Sequence, residues 1–403
     1  MSPHPSIASL PKTKYLVLAA LCAAHFFNDT FQSLITAALP LLKTELALSY
    51  TQVGLIATVF QLSSSIFQPL IGWRNDKRPQ PYALPLGMAS TTLGILILAN
   101  AWSFPLVLIA VSFIGFGSAV FHPEASRLAY MAAGRRLGLG QSVFQTGGNA
   151  GSSVGPLLAA LLITPYGQKN IAWFAILSFC AILWMIPLSR WHRRRLKEKE
   201  LLKKAATQET VVASSATLPR RTVVGSISIL LLLVFSKNLY SISLSIFLPF
   251  YCIEKYQISV QQSQLFLFVF LLAVAAGTMI GGPVGDKLGR KFVIWFSILG
   301  VAPLALLLPY IDSLWGTCVL SMLIGAIMAS SFPAIVIFAQ ELVPGKVGTI
   351  GGLFFGFSFG AGAIASAFLG GLADYVGIMT VYELCSYMPL IGLVTWFLPN
   401  VPR

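Results

Sequence analysis

Charged side chains are scarce in this sequence of 403 residues: Asp, Glu, Lys and Arg make up 10% of it, whereas 56% is hydrophobic. In a soluble globular protein about a quarter of the residues carry charge. A soluble fold needs a polar exterior, and so few charged residues do not provide one. The composition therefore excludes a soluble enzyme and a disordered chain, and it indicates a protein embedded in lipid.

Cysteine motifs and nucleotide-binding loops are also lacking. The five cysteines have no CxxC spacing, which indicates neither a disulfide framework nor a structural zinc site, and we expect no metal and no cofactor. The phosphate-binding pattern GxxxxGK(S/T) does not occur, so we do not expect ATP to drive the protein. An ion gradient is the energy source that remains.

What the sequence has instead is apolar runs long enough to cross a membrane. A hydrocarbon core about 30 Å thick takes about 20 helical residues. Twelve runs meet this length: 15–42, 53–73, 83–101, 105–126, 140–164, 170–189, 223–250, 265–284, 292–310, 314–338, 347–371 and 378–398. The sequence therefore predicts an all-α polytopic membrane protein with twelve transmembrane helices.

The basic residues predict the orientation of these helices. Of the 27 Lys and Arg residues, 22 lie in the gaps on one side of the membrane and three in the gaps on the other side. Basic loops remain in the cytoplasm, so we expect both tails, 1–14 and 399–403, to be cytoplasmic. The net charge of +14 is confined to these loops, and we therefore expect a lipid bilayer and not nucleic acid as the partner.

The chain also repeats itself. A shift of 210 residues superimposes Gly72, Asp76 and Lys77 on Gly282, Asp286 and Lys287. The charged gap 190–222 separates the two copies and is predicted to be a cytoplasmic linker. We expect two pseudo-symmetric six-helix bundles, 15–189 and 223–398, an arrangement typical of transporters whose halves rock against each other.

The loops at these repeated positions resemble the major facilitator superfamily. The second-half loop reads GGPVGDKLGRK, similar to the family signature GxxxD-(R/K)-x-G-R-(R/K), and the first-half loop, GWRNDKRP, keeps part of it. The fifth run contains GxxxGP, which resembles a motif of drug/proton antiporters. The resemblance implies the major facilitator fold and a role in conformational change for these motif residues: Gly72, Asp76, Lys77, Gly282, Asp286, Lys287, Gly289, Arg290, Gly151, Gly155 and Pro156. In this role, Asp286 can accept hydrogen bonds from a helix N-terminus.

A narrower resemblance covers nearly the whole chain except its ends and the linker. The segments HFFNDTFQSLI, FQPLIGW, VFHPEASR, QTGGNAGSSVGP and FSKNLYS are similar to those of fosmidomycin-resistance efflux proteins. The resemblance implies export of fosmidomycin across a bacterial inner membrane.

Few ionisable residues lie inside the predicted spans, and such residues are functional candidates because they are costly in lipid. In the first run, His25, Asn28 and Asp29 lie on one helical face. We expect Asp29 to carry a proton, with His25 sharing it, and Asn28 to contact the substrate. The alternative is a static hydrogen-bond network between helices.

The fourth run contains His122, Glu124 and Arg127. Glu124 and Arg127 are three residues apart and can pair on one face of a helix. In one interpretation, Arg127 and His122 hold an anionic substrate while Glu124 carries a proton. In the other, Glu124 and Arg127 form a fixed ion pair that closes the inner gate.

Lys237 lies in the middle of the seventh run without an acidic residue near it in the sequence. A phosphonate is a suitable partner for its ammonium group, and Asp29 in the other half is the competing partner. Polar positions in helical spacing predict the walls of a cavity and further substrate contacts: Gln61, Gln145, Asn149 and Tyr240.

These features together predict a monomeric secondary transporter that exports a small anionic antibiotic in exchange for protons. One rival is proton-coupled uptake of an organic phosphate or sugar. Another is a membrane enzyme that acts on lipids, with His25, His122, Asp29 and Glu124 as a metal or acid–base site.

Overall fold

The computed structural model describes residues 12–48, 50–158, 163, 166–206, 219–258 and 260–399. Within these ranges the regular structure is entirely helical. The predicted tails fall largely outside the described residues, which begin at 12 and end at 399, and within the predicted linker 190–222 the residues 207–218 are not described.

Fourteen α-helices are found in the described ranges. Their bounds are α1 Tyr15–Glu45, α2 Tyr50–Lys77, α3 Ala83–Ala99, α4 Phe104–Ala133, α5 Leu137–Leu158, α6 Ala172–Ala206, α7 Arg220–Tyr256, α8 Val260–Leu288, α9 Arg290–Ile298, α10 Ala302–Leu307, α11 Leu314–Ala329, α12 Ser331–Leu342, α13 Val347–Val376 and α14 Ile378–Ser386. Three 3₁₀ stretches accompany them, at Gln168–Ile171, Leu308–Tyr310 and Met388–Phe397.

These elements follow the twelve predicted spans. The ninth span consists of α9 and α10, the tenth of α11 and α12, and the twelfth of α14 with the last 3₁₀ stretch. Nine segments of the described chain are long and apolar enough to cross a membrane. The other three spans correspond to α1 with 31 residues, α3 with 17 and α5 with 22. The prediction of an all-α polytopic membrane protein is confirmed.

The outer surface is apolar, as expected of a chain in contact with lipid. Large hydrophobic side chains such as Trp102, Trp173 and Ile364 are more than half exposed. Inside, one hydrophobic core fills the first half and extends towards α12 and α13, and a second core fills the remainder of the second half. Between the two halves the side chains are more polar.

The two halves meet along two antiparallel helix pairs, α2 with α13 and α5 with α8. The helices approach so closely that a Cβ atom on Gly72 would collide with the backbone of Gly348, and one on Gly282 with the backbone of Gly138. Both contacts lie at the end of the molecule where α2 and α8 terminate, which we call the basic end. Glycine is required there because no other residue allows backbone against backbone.

The last helix of the first half is longer than the predicted span. The sequence ends this span at residue 189, whereas α6 continues through Arg190 to Ala206. The extension carries most of the basic run that begins the predicted linker, and it buries one residue of that run, His192.

Candidate functional site

A cavity of about 220 Å³ lies between the two halves, near the middle of the helices. Residues of α1, α4 and α5 form one wall, and residues of α7, α8, α11, α12 and α13 form the other. Six of the predicted proton and substrate residues line it: His25, Asp29, His122, Gln145, Asn149 and Lys237. Five further polar residues of the lining are not among the predicted site residues: Ser152, Asn238, Ser241, Thr278 and Ser358.

The other predicted site residues do not line this cavity. Tyr240 is 1% exposed and belongs to the hydrophobic core of the second half. Asn28 donates a hydrogen bond of 3.0 Å to Oδ1 of Asp29. Gln61 lies in α2, whereas Glu124 and Arg127 lie in the last turns of α4. Their roles in transport stay predictions from the sequence.

Two histidines and an aspartate meet at the first-half wall. Nε2 of His25 lies 3.3 Å from Oδ2 of Asp29, and Nε2 of His122 lies 3.4 Å from Oδ1. The two Nε2 atoms are 3.3 Å apart. The imidazoles are buried, with exposed fractions of 2% and 0%, whereas the carboxylate is 14% exposed. We call these three residues the histidine–aspartate cluster.

The neighbours of the histidines determine which ring nitrogen carries hydrogen. Nδ1 of His25 lies 2.8 Å from the carbonyl oxygen of Phe144, and Nδ1 of His122 lies 3.0 Å from that of Ser118. A carbonyl oxygen only accepts hydrogen bonds, so each Nδ1 must donate. In a neutral ring, Nε2 is then a lone-pair acceptor.

Lys237 lies on the opposite wall of the cavity. Its Nζ atom is 5.1 Å from the centroid of the Phe332 ring, and among the described residues it has no carboxylate within ion-pair distance. Hydrogen-bonded amides frame the cavity. Asn149 donates to the hydroxyl of Thr278 at 2.9 Å, and Asn238 donates to the hydroxyl of Ser358 at 2.7 Å. The cavity thus presents one ammonium group on the second-half wall, and the histidine–aspartate cluster lies on the first-half wall.

A second buried cluster lies nearer the basic end, within the first half. Oε2 of Glu124 accepts a hydrogen bond from Asn75 at 3.1 Å and pairs with Arg127 at 3.3 Å. Its Oε1 atom lies 3.2 Å from Nδ1 of His192. Arg127 also donates to the backbone oxygen of Asn75 at 2.9 Å. The pair that the sequence predicts is therefore formed, and it connects α4 with α2 and α6.

The loop carboxylates close the basic end. Asp76 accepts hydrogen bonds from the backbone N–H groups of Gly348 and Thr349, at 2.9 and 2.7 Å, and from the Thr349 hydroxyl at 2.7 Å. These donors belong to the first turn of α13, in the other half. A carboxylate is stabilised at a helix N-terminus, because the free N–H groups and the helix dipole favour negative charge.

Asp286 makes the equivalent contacts in the opposite direction. It accepts from the backbone N–H groups of Gly138 and Leu139, at 2.9 and 3.0 Å, in the first turn of α5. Arg290 pairs with Asp286 at 2.7 Å and with Glu341 at 3.1 Å. The predicted capping of a helix N-terminus by Asp286 is thus present, and Asp76 repeats it.

The remaining motif residues have separate positions. Gly289 has a φ of 102° immediately before α9, a conformation that favours glycine. Nζ of Lys77 lies 4.0 Å from the Trp73 ring centroid, and Lys287 lies in the last turn of α8. In α5, Gly151 packs against the backbone of Phe26, and Gly155 against Ser33. Pro156 is part of α5, but its side chain lies outside the described residues.

Comparison with known proteins identifies the family. The sequence pattern of the Major Facilitator Superfamily matches residues 21–259 and 230–403. The chain is 50% identical to the fosmidomycin resistance protein of Escherichia coli (strain K12) over 389 residues, covering 96% of this chain and 94% of that protein. The chain belongs to the Major Facilitator Superfamily, in the fosmidomycin-resistance family. It is a multi-pass membrane transporter and not an enzyme.

Two further likenesses agree with this assignment. The uncharacterized MFS-type transporter YfnC of Bacillus subtilis (strain 168) is 42% identical over 388 residues, with 96% of this chain and 94% of YfnC covered. The transporter FucP in its outward conformation has a TM-score of 0.73 at 15% identity, with 97% of this chain and 100% of FucP covered. The second likeness shows the shared fold.

Proposed function

We propose that this transporter exports a fosmidomycin-like phosphonate from the bacterial cytoplasm, across the inner membrane, in exchange for protons. The proposal is supported by the identity to the fosmidomycin resistance protein and by one observation in the cavity. Lys237 faces the space between the halves without a carboxylate partner among the described residues. An ammonium group removed from bulk water needs an anion, and a phosphonate is a strong hydrogen-bonding anion.

The carboxylates of Asp76 and Asp286, which we call the gate carboxylates, support alternating access as the transport mechanism. With the basic loops in the cytoplasm, Asp76 and Asp286 close the cytoplasmic side of the cavity. The hydrogen bonds between the described parts of the two halves lie between this end and the Asn149–Thr278 pair beside the cavity. Opening inward requires both carboxylates to leave their helix N-termini while the halves tilt.

A proton gradient supplies enough free energy for this exchange. One pH unit provides about 1.4 kcal/mol per proton. A membrane potential of 100 mV provides about 2.3 kcal/mol per elementary charge, and it also favours the exit of an anion from a negative interior. The assignment of the proton to His25, Asp29 and Glu124 stays a prediction from the sequence, and proton exchange is tested through the gradient rather than through these residues.

The direct test is fosmidomycin transport in inverted vesicles that contain the protein. When the vesicle interior is acidified, we expect labelled fosmidomycin to accumulate, because the inverted membrane turns export into uptake. Lys237→Gln should abolish this accumulation. Lys255→Gln should not, because Lys255 lies in the last turn of the same helix, outside the cavity lining, and donates to the carbonyl of Pro309 at 2.7 Å.

Three results would contradict the proposal. Accumulation that does not respond to the pH gradient would remove proton exchange. Gradient-driven uptake of organic phosphates or sugars in right-side-out vesicles, without fosmidomycin export, would favour the symport alternative. Equal transport by Lys237→Gln and the wild type would remove Lys237 as the anion site.

A further inference from the structure

The histidine–aspartate cluster holds three groups whose lone pairs point towards one another. Both Nδ1 atoms donate to backbone carbonyls, at 2.8 and 3.0 Å, so both Nε2 atoms of neutral rings are acceptors. The hydroxyl of Ser118 does not change this result, because it donates to Oε1 of Gln32 at 3.1 Å and can therefore only accept from His122. Two ring nitrogens and a carboxylate thus surround a point that requires positive charge.

The surroundings of the cluster are those of metal ligands. Histidines that bind a metal usually donate their other ring N–H to a backbone carbonyl or a carboxylate, which fixes the tautomer. Carboxylates that bind a metal are in turn hydrogen-bonded. Both conditions hold here, since Oδ1 of Asp29 accepts from Asn28 and from Gln32, each at 3.0 Å.

The distance between the two imidazole nitrogens fits tetrahedral better than octahedral geometry. With metal–nitrogen bonds of about 2.0–2.1 Å, ligand atoms around tetrahedral zinc are about 3.3–3.4 Å apart. Ligands at right angles in an octahedral site would be about 3.0 Å apart. The Nε2 atoms of His25 and His122 are 3.3 Å apart; Nε2 of His25 lies 3.3 Å from Oδ2 of Asp29, and Nε2 of His122 lies 3.4 Å from Oδ1, the other oxygen of the same carboxylate. Ligand atoms of all three residues lie within 4.8 Å of one another.

We propose that His25, His122 and Asp29 form a divalent metal site of the zinc type, with two imidazoles and one carboxylate as ligands. The protein ligands leave the fourth tetrahedral position open, as in zinc sites that bind a water or a substrate. All three residues line the cavity, so this position is open to a transported molecule.

The open position also suggests a role in substrate binding. The metal lies on the wall formed by the first half and Lys237 on the wall formed by the second. A phosphonate bound to the metal and to Lys237 would connect the halves, and its release would separate them. This part alone rests on the proposed efflux function, whereas the metal site itself does not.

The test uses the purified full-length protein in detergent, treated with a chelator and then titrated with Co²⁺. We expect one equivalent to bind, with the strong visible absorption of tetrahedral Co²⁺, and Zn²⁺ to displace it. His122→Ala and Asp29→Asn should weaken binding by more than about 100-fold, because even the loss of an outer-shell partner costs about 10–100-fold. His192→Ala is the matched control, a buried histidine outside the cluster, and should bind like the wild type.

Several outcomes overturn the metal site. One is a wild-type protein that binds no stoichiometric Co²⁺, which would leave a proton as the cation in the cluster. Another is equal binding by the ligand variants, and a third is a cobalt–thiolate charge-transfer band, which would place the metal on a cysteine. If His122→Ala elutes as an aggregate in size-exclusion chromatography, His25→Gln replaces it and must show the same loss of binding.

The anion is tested separately. Adding methylphosphonate should change the Co²⁺ spectrum of the wild type and leave that of Lys237→Gln unchanged, although both bind the metal. An unchanged wild-type spectrum would overturn the shared anion site and leave the metal site standing. Conversely, vesicles that fail to transport fosmidomycin would overturn the efflux function without affecting the cobalt titration.

Discussion

The two halves are alike where they close the basic end and unlike where they face the cavity. At a shift of 210 residues, Asp76 and Asp286 occupy equivalent positions, and each caps a helix of the other half. In contrast, the positions equivalent to His25, Asp29 and His122 hold Phe235, Leu239 and Phe332. Symmetry is retained at the contacts that close the basic end, whereas the ionisable side chains that line the cavity differ between the halves.

The same contrast holds for the glycine-rich faces. In α5, Gly147 and Gly151 pack against the backbone of α1, within one half. In α13, Gly352 packs against the backbone of Gln68 in α2, across the two halves. The first face therefore packs within one half, whereas the second packs across the two halves, and under the proposed alternating access it would separate when the basic end opens.

The largest effect is expected from breaking the buried ion pair that only the first half has. Glu124→Ala leaves Arg127 buried without its partner, and such a loss costs about 3–5 kcal/mol. The second half has Ala334 and Ile337 at the equivalent positions. The double change Glu124→Ala with Arg127→Ile should therefore restore most of the lost stability, since apolar replacements of buried pairs are often neutral.

Thermal unfolding of the purified variants measures this effect. A double variant no more stable than Glu124→Ala would show that the first half needs these charges for folding. A stable double variant without transport would instead give the pair a role in the transport cycle.

The next largest effect is expected from removing the charge of Asp76 or Asp286. We call the contacts of these two carboxylates with the first turns of α13 and α5 the two gates. Hydrogen bonds to a charged group contribute about 1.5–3 kcal/mol each, so Asp76→Asn and Asp286→Asn should each open the basic end by 10-fold or more in population, on the order of 1.4 kcal/mol per factor of ten. The double variant should be open most often. Distances between spin labels at Arg78 and Lys346, in a background without native cysteines, report the opening.

Glu198→Gln is the matched control, because Glu198 is an exposed acid paired with Arg195 on α6 at 2.8 Å. If only one of the two variants, Asp76→Asn or Asp286→Asn, opens the basic end, the two gates are not equivalent.

A smaller effect is expected from the glycine face between the halves. Gly352→Ala places a methyl group against the backbone of Gln68 and should disfavour the closed state by about 1–3 kcal/mol, as overpacking usually does. Gly360→Ala, two turns further along the same face, meets only Ser65 at 3.7 Å and should have no effect. The same spin-label distances distinguish the two variants, and equal behaviour would remove the close approach as a determinant of closure.

The smallest effect is expected at a hydroxyl that Asp76 contacts and Asp286 does not. Thr349 donates to Asp76 through its side chain at 2.7 Å, whereas the equivalent residue of the other gate is Leu139. Thr349→Val should weaken the closed state by about 1 kcal/mol, the usual net value of one hydrogen bond. Thr317→Val, in the second half and away from the gate, is the control, and an equal effect of both variants on the label distance would contradict the role of the hydroxyl.

Much of the fold could be predicted from the sequence, because the lipid core demands long apolar helices and the repeat aligns the special residues of both halves. Local spacing also predicted two real contacts. His25 and Asp29 are four residues apart and lie 3.3 Å from each other, and Glu124 and Arg127 are three apart and also lie 3.3 Å from each other.

What spacing along one helix could not predict is contact between helices. His122 meets Asp29 from a different helix. His192 lies in a basic run that predicts a linker, yet it is buried beside Glu124. Its only signal is periodicity, since it follows the buried Leu188 by four residues on the same face of α6. Tyr240 is the converse case, because its spacing from Lys237 predicts a position at the cavity, whereas its side chain lies in the hydrophobic core of the second half.

The close backbone contacts between glycines at the basic end have a consequence for the rate of the transport cycle. Where Gly72 meets Gly348 and Gly138 meets Gly282, no side chain has to change rotamer before the helices part. Water entering the widening gap can take over both the released carboxylates and the peptide N–H groups that they cap. Opening of the basic end therefore exchanges one set of hydrogen bonds for another. The modest binding energy of a single small substrate is then sufficient to shift the equilibrium between the open and the closed state.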